Sequence, residues 1–470
     1  MRSARCSIVI CLWLLFTGHV SIAAPAPRAG DDKPSDYSKE SFVIERLADR
    51  AVFENDGTYF TEETARIKIQ SQAALQTLGV LHASYASATS TVDIAYVRVI
   101  KPDGRVVETP AENILDMPAE ITREAPFYSD LKEKQVAVKG LEIGDALEFQ
   151  YRISVKTPLD PGQFWFAFDF FNTGICLQQK LEISVPRGRS VKVESAKVQP
   201  TTAEQGPYRV YTWTTSNLES AATKKDSKPP EPDEPKRSSV RLTTFQNWDE
   251  VGQWFKGLAA PRSIPTPQVK QKADEITRDA KTDAEKTQAI YAYVSTKFRY
   301  IGISLGIGRY QPHAAAEVLT NDYGDCKDKH TLLAALLAAE NIKAFPALIN
   351  STTIIDPAVP SPAQFDHVIT AVPQGDGFLF LDTTTEVGPF GYLIADLRDK
   401  QALVIPDDGP ARLVRTPKDP PFKFVFTFQS NGTLAMPVRW RPKYESPYAL
   451  TSKFFTVSLF AAPDSPSGTR

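Results

Sequence analysis

The chain has 470 residues, of which 42% are hydrophobic and 23% are charged, and its formal net charge at pH 7 is −2. This length and apolar content predict a globular protein of roughly two or three domains with a large core. Because there is no basic excess, the composition excludes the electrostatic footprint of a nucleic-acid-binding protein, and we expect no nucleic-acid partner.

Residues 1–23 are predicted to be a cleaved signal peptide. Two arginines precede an apolar run at 6–16, and small residues close the segment at Ser21-Ile22-Ala23. The run is too short to span a bilayer, and no later stretch approaches a continuous apolar segment of about 18 residues. We therefore expect a periplasmic or secreted protein without stable membrane insertion, and an uncleaved N-terminal anchor is the alternative.

Residues 38–240 are predicted to form a β-sandwich-like domain. Hairpin signatures recur along this region, as at Asn55-Asp56-Gly57 and Pro102-Asp103-Gly104. The segment 146–153 alternates apolar and polar residues, as a half-buried strand does. Many short strands at this spacing are typical of a β-sandwich.

An aromatic run from Phe164 to Phe171 is denser than a single buried strand face requires. The phenylalanines at alternate positions favour packing between two sheets or against a neighbouring domain, and they are Phe164, Phe166, Phe168 and Phe170. A platform that stacks on sugars or anchors a partner is the alternative, because exposed aromatic rings serve both purposes.

Removal of the signal peptide would leave Cys176 and Cys326 as the only two thiols. In an exported protein two cysteines invite a disulfide, whereas burial of Cys176 beside Phe170 and Phe171 would keep it from pairing. Both outcomes stay open at this point. The five histidines fall at no metal-ligand spacing, so we expect neither a metal nor a cofactor.

Residues 241–410 are predicted to form an α+β core that opens with helices. Asn247 followed by Glu250, and Thr282 followed by Glu285, place a capping side chain three residues before a glutamate. This spacing is typical of a helix N-terminus, because each partner satisfies a backbone N–H of the other.

Cys326 is the candidate nucleophile. It follows a glycine-containing turn at Tyr323-Gly324-Asp325, and apolar residues recur after it at helical spacing. A thiol at a helix N-terminus is favoured as the thiolate by the helix dipole and by unpaired N–H groups, although Asp325 and Asp328 partly oppose that charge. A small buried cysteine is the alternative interpretation.

His367 and Asp382 are the candidate base and orienting carboxylate, on two predicted strands joined by a turn. If the turn centres between Gln374 and Gly375, the two residues lie directly opposite each other on one face. Their Cβ atoms would then be about 4.5–5.5 Å apart, and a slip of one residue would put one of them on the other face. A structural histidine and a turn-capping aspartate are the alternatives.

After about residue 420, alternating phenylalanines and an Asn431-Gly432 turn predict a short β-type segment over 420–470.

These motifs together resemble the transglutaminase-like superfamily, in particular exported bacterial proteins in which an uncharacterised β-rich domain precedes the core. The stretches that carry the resemblance are Tyr300-Ile301-Gly302-Ile303, Tyr310-Gln311-Pro312-His313-Ala314, Gly324-Asp325-Cys326-Lys327-Asp328-Lys329-His330, Phe365-Asp366-His367 and Leu381-Asp382-Thr383. The resemblance implies a papain-like α+β fold with Cys326 as nucleophile, His367 as base and Asp382 as orienting residue.

The function hypothesis is an exported thiol enzyme that acts on amide or peptide bonds through this triad. We expect hydrolysis, as in a cysteine peptidase, on a peptide or protein substrate, with the cell envelope as one source. A protein-glutamine transglutaminase is the first alternative, because the same triad can pass the acyl group to an amine. A non-catalytic module that binds an envelope partner is the second.

Overall fold

The computed structural model describes residues 36–120, 122, 130–195, 198–219, 239–302, 310–386 and 388–420. A strand-rich N-terminal part precedes a C-terminal α+β part, so the predicted multidomain α+β class is confirmed. The described residues up to Pro417 belong to one compact unit, and a second unit begins at Lys418. The predicted signal peptide and the segment after 420 lie outside the described residues.

The strand-rich part contains one short helix among its strands. In chain order these elements are β1 (Phe42–Phe53), β2 (Tyr59–Ile69), α1 (Gln72–Leu78), β3 (Val80–Ala86), β4 (Ser90–Ile100), β5 (Val106–Glu108), β6 (Ile114–Pro118), β7 (Leu131–Ala137), β8 (Ala146–Val155), β9 (Trp165–Phe168), β10 (Cys176–Pro186), β11 (Lys192–Ser195), β12 (Thr201–Gln205), β13 (Tyr208–Asn217) and β14 (Val240–Thr243). The hairpin predicted at Pro102-Asp103-Gly104 joins β4 to β5, and the predicted strand at 146–153 is β8.

Eight of these strands form one large sheet in the order β12-β13-β10-β1-β2-β8-β4-β5. Two three-stranded sheets, β3-β7-β6 and β11-β14-β9, pack against it. Strand β1 contributes Leu47 to the apolar cluster shared with the first small sheet, and Ala51 and Phe53 to the cluster shared with the second. Because alternate residues of a strand share a face, both small sheets cover the same side, which gives a sandwich-like arrangement.

The aromatic run lies in the second of these clusters. Phe164, Phe166 and Phe168 are buried against β1, β10 and β13, which confirms the packing interpretation. Trp165 lies between them in sequence, and its side chain packs instead on an apolar cluster of the C-terminal part. Strand β9 therefore contributes to two different packing regions.

The C-terminal part places helices around one antiparallel sheet. Its helices are α2 (Trp248–Ala259), α3 (Pro267–Ile276), α4 (Asp283–Lys297), α5 (Ala315–Asn321) and α6 (Cys326–Ala339), and its strands are β15 (Arg299–Tyr300), β16 (Tyr323–Gly324), β17 (Phe345–Ile349), β18 (His367–Gln374), β19 (Gly377–Leu381), β20 (Gln401–Val404) and β21 (Arg412–Arg415). The sheet order is β19-β18-β17-β20-β21, with the short pair β15-β16 apart from it. Helix α6 packs against α3, α4 and α5 and also contacts β18.

Local capping fixes where the first helices of this part begin. Asn247 accepts a hydrogen bond from the N–H of Glu250 at 2.9 Å, and Thr282 and Glu285 cap each other reciprocally. Both predicted helix starts are confirmed. The domain boundary predicted between 240 and 241 falls inside β14 and stays a prediction. No helix of the described residues is long and apolar enough to cross a membrane.

The predicted register of the β18–β19 hairpin is wrong. Thr370 pairs with Leu381 and Gln374 pairs with Gly377, so a two-residue turn at Gly375-Asp376 closes the hairpin. Gly375 adopts a φ of 56°, which a glycine tolerates without steric strain. The centre of the turn lies between Gly375 and Asp376, one residue later than predicted, and this moves the pairing by two residues. Because two residues are one full pleat period, the predicted face of each side chain is unchanged.

Candidate active site

The nucleophile candidate is the first residue of helix α6. Asp325 caps this helix, and its carboxylate accepts hydrogen bonds from the N–H groups of Lys327 and Asp328 at 3.1 and 3.2 Å. These cap bonds do not use the N–H of Cys326. The predicted helix start at Cys326 is therefore confirmed, and its thiol lies at the positive end of the α6 dipole.

A buried lysine neutralises the capping carboxylate. Lys327 is only 2% exposed, and its ammonium group donates to the Asp325 carboxylate. Burial raises the pKa of Asp325 to about 6, and the charge of Lys327 partly offsets this effect. Burial alone would lower the pKa of Lys327, but the charges of Asp325 and Asp328 outweigh it and raise that pKa. The cap therefore carries a matched ion pair beside the thiol.

Asp328 connects α6 to the loop before α5. Its carboxylate accepts from the backbone N–H of His313 at 2.8 Å and lies 3.1 Å from the imidazole Nδ1. Burial opposes ionisation of Asp328, yet the hydrogen bond from His313 and the charge of Lys327 lower its pKa overall. Gly324 is required beside it, because a Cβ there would stand 2.7 Å from the Cβ of Asp328.

The base candidate, His367, is the first residue of β18. Its Nε2 lies 3.3 Å from Oδ2 of Asp382, close enough for an ion pair, although no aligned hydrogen bond reaches that oxygen. The side chain of Cys326 is also close enough to the imidazole to favour its protonated form. Burial disfavours the charged imidazole, but Asp382 and Cys326 outweigh it and raise the pKa of His367 to about 10.

Asp382 is held from its other side by the turn that follows β19. Its Oδ1 accepts from the backbone N–H of Thr384 at 2.9 Å and from its hydroxyl at 2.7 Å. The hydroxyl of Tyr291 donates to the backbone carbonyl of Asp382 at 3.1 Å. Burial would raise the pKa of Asp382, but His367 and Thr384 lower it overall. The carboxylate is thus fixed in orientation with one oxygen free to face the imidazole.

Two buried side chains hold α6 against its neighbours. His330 lies one turn after Cys326, and its Nδ1 is 2.7 Å from the hydroxyl of Thr370 on β18. Burial lowers the pKa of His330 to about 3, so this imidazole stays neutral. Lys329 donates from Nζ to the carbonyl oxygens of Ser295 and Phe298, at 3.2 and 2.6 Å, at the end of α4. The nucleophile helix is therefore tied to the strand that carries the base.

The strand-rich part contributes a tryptophan to the apolar cluster against which Cys326 also packs. Trp165 packs edge-on against Trp254 and Tyr310, with ring centroids 5.0 and 5.8 Å apart, and its indole N–H donates to the Tyr310 hydroxyl at 3.4 Å. Trp165, Trp254 and Cys326 are each partly buried against the same apolar cluster. No pattern in the sequence indicates this contact, because it joins residues far apart in the chain.

Cys176 does not pair with Cys326. Both cysteines are free thiols, and Cys176 is 1% exposed beside the partly buried Phe171. Burial raises the pKa of Cys176 to about 11, which makes it a poor nucleophile. Among the described residues no group of three or more histidine, cysteine, aspartate or glutamate side chains is placed to hold a metal ion.

A cysteine at a helix N-terminus, facing a histidine and an aspartate from neighbouring strands of an antiparallel sheet, is the arrangement of a papain-like α+β core. The family model for the transglutaminase-like superfamily matches residues 270–347. A second model, for a domain of unknown function with a solved structure (DUF3857), matches residues 55–222. The chain therefore contains a core region that matches the transglutaminase-like superfamily, preceded by a region that matches DUF3857. Because the core match ends at 347, it includes Cys326 but not His367 or Asp382.

A solved structure shares this fold at low sequence identity. A crystal structure described as "a putative protease" from Parabacteroides distasonis is 17% identical, with a TM-score of 0.66 over 81% of this chain and 72% of that one. This likeness shows the fold alone. An M1 zinc metallopeptidase mutant from Deinococcus radiodurans is 7% identical, with a TM-score of 0.25 over 44% of this chain and 43% of that one, and supports no argument. The comparison with curated proteins gave no match.

Proposed function

We propose that the protein is a thiol enzyme that cleaves amide or peptide bonds by acyl transfer, with Cys326 as nucleophile, His367 as base and Asp382 as orienting carboxylate. The observation that supports this most is the imidazole of His367, which lies 3.3 Å from the Asp382 carboxylate and whose pKa is raised by both Asp382 and Cys326. Nucleophile, base and orienter within reach of one another are what thiol acyl transfer needs.

The reaction begins with the thiolate of Cys326 and a protonated His367. The sulfur attacks the substrate carbonyl carbon, a C–S bond forms, and the carbonyl electrons move onto oxygen. The N–H of Cys326, which the helix cap leaves unused, donates to this oxyanion. The intermediate then breaks its C–N bond, the amine takes the proton of His367, and a thioester remains on Cys326.

Water completes the cycle. Neutral His367 takes a proton from a water molecule as the water oxygen attacks the thioester carbon. The C–S bond then breaks, and the carboxylic acid leaves. A lysine amine in place of water would give a cross-linked product through the same steps. We propose hydrolysis, because water needs no second protein-binding site.

The proposed setting is the periplasm or the exterior, with a peptide or protein of the cell envelope as substrate. The sequence pattern at 1–23 supports export. The burial of Cys176 also keeps it from forming a disulfide with Cys326 in an oxidising compartment. Mass determination of the protein purified from its own cells tests export, since cleavage after Ala23 predicts a defined mass.

Alkylation by iodoacetamide tests the activated thiol. At about pH 6 we expect rapid labelling of Cys326 in the wild type and in Cys176→Ser, and roughly tenfold slower labelling in His367→Ala. Labelling that becomes rapid only near pH 8.5, the ordinary thiol range, would favour a non-catalytic binding module instead. A peptide library incubated with wild type and Cys326→Ala, with and without an added amine, then separates hydrolysis from transfer.

A further inference from the structure

Arg241 is a buried arginine of the strand-rich part that faces the C-terminal part. It lies in β14, and its side chain is 4% exposed. Glu194, its register partner on β11, accepts from the guanidinium Nε at 3.0 Å. A buried guanidinium needs acceptors for its remaining N–H groups, and the strand-rich part supplies only this carboxylate among the contacts described.

The remaining acceptors come from the loop that precedes the base. Nη1 of Arg241 donates to Oε1 of Gln364 at 3.1 Å, and Nη2 donates to Oδ2 of Asp356 at 3.0 Å. Both acceptors belong to residues 350–366, which connect β17 to β18. The guanidinium therefore bonds two points of one loop that are eight residues apart in sequence.

The same two loop residues organise the loop internally. The side-chain oxygen of Gln364 also accepts from the N–H of Asp356 at 2.8 Å, and its amide nitrogen donates to the Asp356 carbonyl at 3.1 Å. Asn350, at the start of the loop, donates to the Gln364 carbonyl at 2.7 Å. Gln364 is thus fixed on all sides three residues before His367, and Arg241 holds this arrangement from outside.

We propose that Arg241 is a positioning residue for His367, so that the strand-rich part completes the catalytic unit by fixing the loop that presents the base. This inference rests on the proposed function. A base must be held within a fraction of an ångström of its working position, and small displacements lower rates by orders of magnitude. Loss of Arg241 frees the loop end and lets the imidazole move away from the thiol.

The test compares iodoacetamide alkylation of Cys326 in wild type and Arg241→Gln at two pH values. At about pH 6, where the thiolate depends on the imidazolium, we expect Arg241→Gln to react roughly tenfold more slowly. At about pH 9.5, where an ordinary thiol ionises unaided, the two rates should agree within roughly twofold. A merely structural role would not separate the two rates in this way.

Arg152→Gln is the matched control, because Arg152 also pairs with a carboxylate, Glu62 at 2.8 Å, but within the large sheet. It should keep the wild-type rate at both pH values. If circular dichroism shows that Arg241→Gln does not fold, Asp356→Asn and Gln364→Met alter the two loop acceptors of Arg241 instead. These variants must then show slower alkylation at about pH 6 and an unchanged rate at about pH 9.5. If the folded variants are alkylated as fast as the wild type, or are slowed equally at both pH values, the role proposed for Arg241 is wrong and the proposed function is unaffected. A wild type with no rapid reaction at about pH 6 would overturn it together with the proposed function.

Discussion

The imidazole of His367 and the carboxylate of Asp382 meet at 3.3 Å, although the β18–β19 register, continued by one pair, places Asp382 opposite Ile369, two residues along the strand from His367. The contact is diagonal across the hairpin, and both side chains are on the same face because the offset is one pleat period. Asp382 follows the last residue of β19, where its Oδ1 is already bonded to Thr384. The turn after β19 thus aims Oδ2 at the imidazole.

Replacing Asp382 by Asn should lower the pKa of His367. That pKa is about 10, above the ordinary value of 6.5, so the proton is held through neutral pH and lost as the pH rises through about 10. The amide keeps an acceptor for Thr384 but removes the negative charge, so the pKa of His367 should fall by roughly one unit or more. Histidine NMR titration, with the signal assigned by its absence in His367→Ala, measures this pKa. Asp376→Asn, in the turn of the same hairpin, should leave it unchanged.

Replacing Lys327 by Met should destabilise the start of α6. The substitution leaves the carboxylate of Asp325 buried without its cation, and breaking a buried pair in this way costs about 3–5 kcal/mol. The double variant Lys327→Met/Asp325→Asn should recover most of that loss, since residue 325 then carries no buried charge and Asn still caps the helix. Urea unfolding of the wild type, both single variants and the double variant measures the coupling. Additive losses in this cycle would contradict the ion-pair interpretation.

The sequence predicted features that depend on neighbouring residues in the chain. Asn247 and Thr282 cap their helices as expected, and Cys326 begins α6. Each cap depends on residues within four positions of one another, so a short stretch of sequence is enough to predict it. The faces of His367 and Asp382 were likewise predictable from strand alternation, whereas the register was not, because it depended on the turn geometry.

Features decided by long-range contacts could not be predicted. Lys327 is buried against the Asp325 carboxylate, whereas a lysine in a sequence is ordinarily expected to be exposed. Arg241 meets Gln364 across more than a hundred residues, and Trp165 meets Tyr310 in the same way. No periodicity or spacing links such pairs, so they appear only once the two parts of the chain are packed together.

Replacing Glu63 by Gln should stabilise the strand-rich part at high pH. Glu63 is fully buried opposite Asp49, and burial followed by the Asp49 charge raises its pKa well above 4.5. Its protonated form therefore contributes stability at low pH, and that contribution is lost as the pH rises through the folded-state pKa. Gln stays neutral and its amide N–H can donate to Asp49, so the variant should gain about 1–3 kcal/mol at alkaline pH. Thermal unfolding across a pH series measures the gain, which Glu142→Gln, with its 76% exposed side chain, should lack.

Replacing Gly324 by Ala should impair the nucleophile, whereas Gly257→Ala should stabilise the protein. A Cβ at 324 would stand 2.7 Å from the Cβ of Asp328, a backbone-anchored atom, so the turn must shift and the cap of α6 with it. We expect a loss of about 1–3 kcal/mol in the free energy of unfolding and a slower alkylation of Cys326 at about pH 6. Gly257 lies within α2 with nothing within 4 Å of an added Cβ, so its methyl group costs no contact. Alanine there should add about 0.5–1 kcal/mol by restricting the unfolded chain, with the alkylation rate unchanged. Urea unfolding and alkylation of both variants test this prediction. If the two variants behave alike, the turn before Cys326 does not require glycine at position 324.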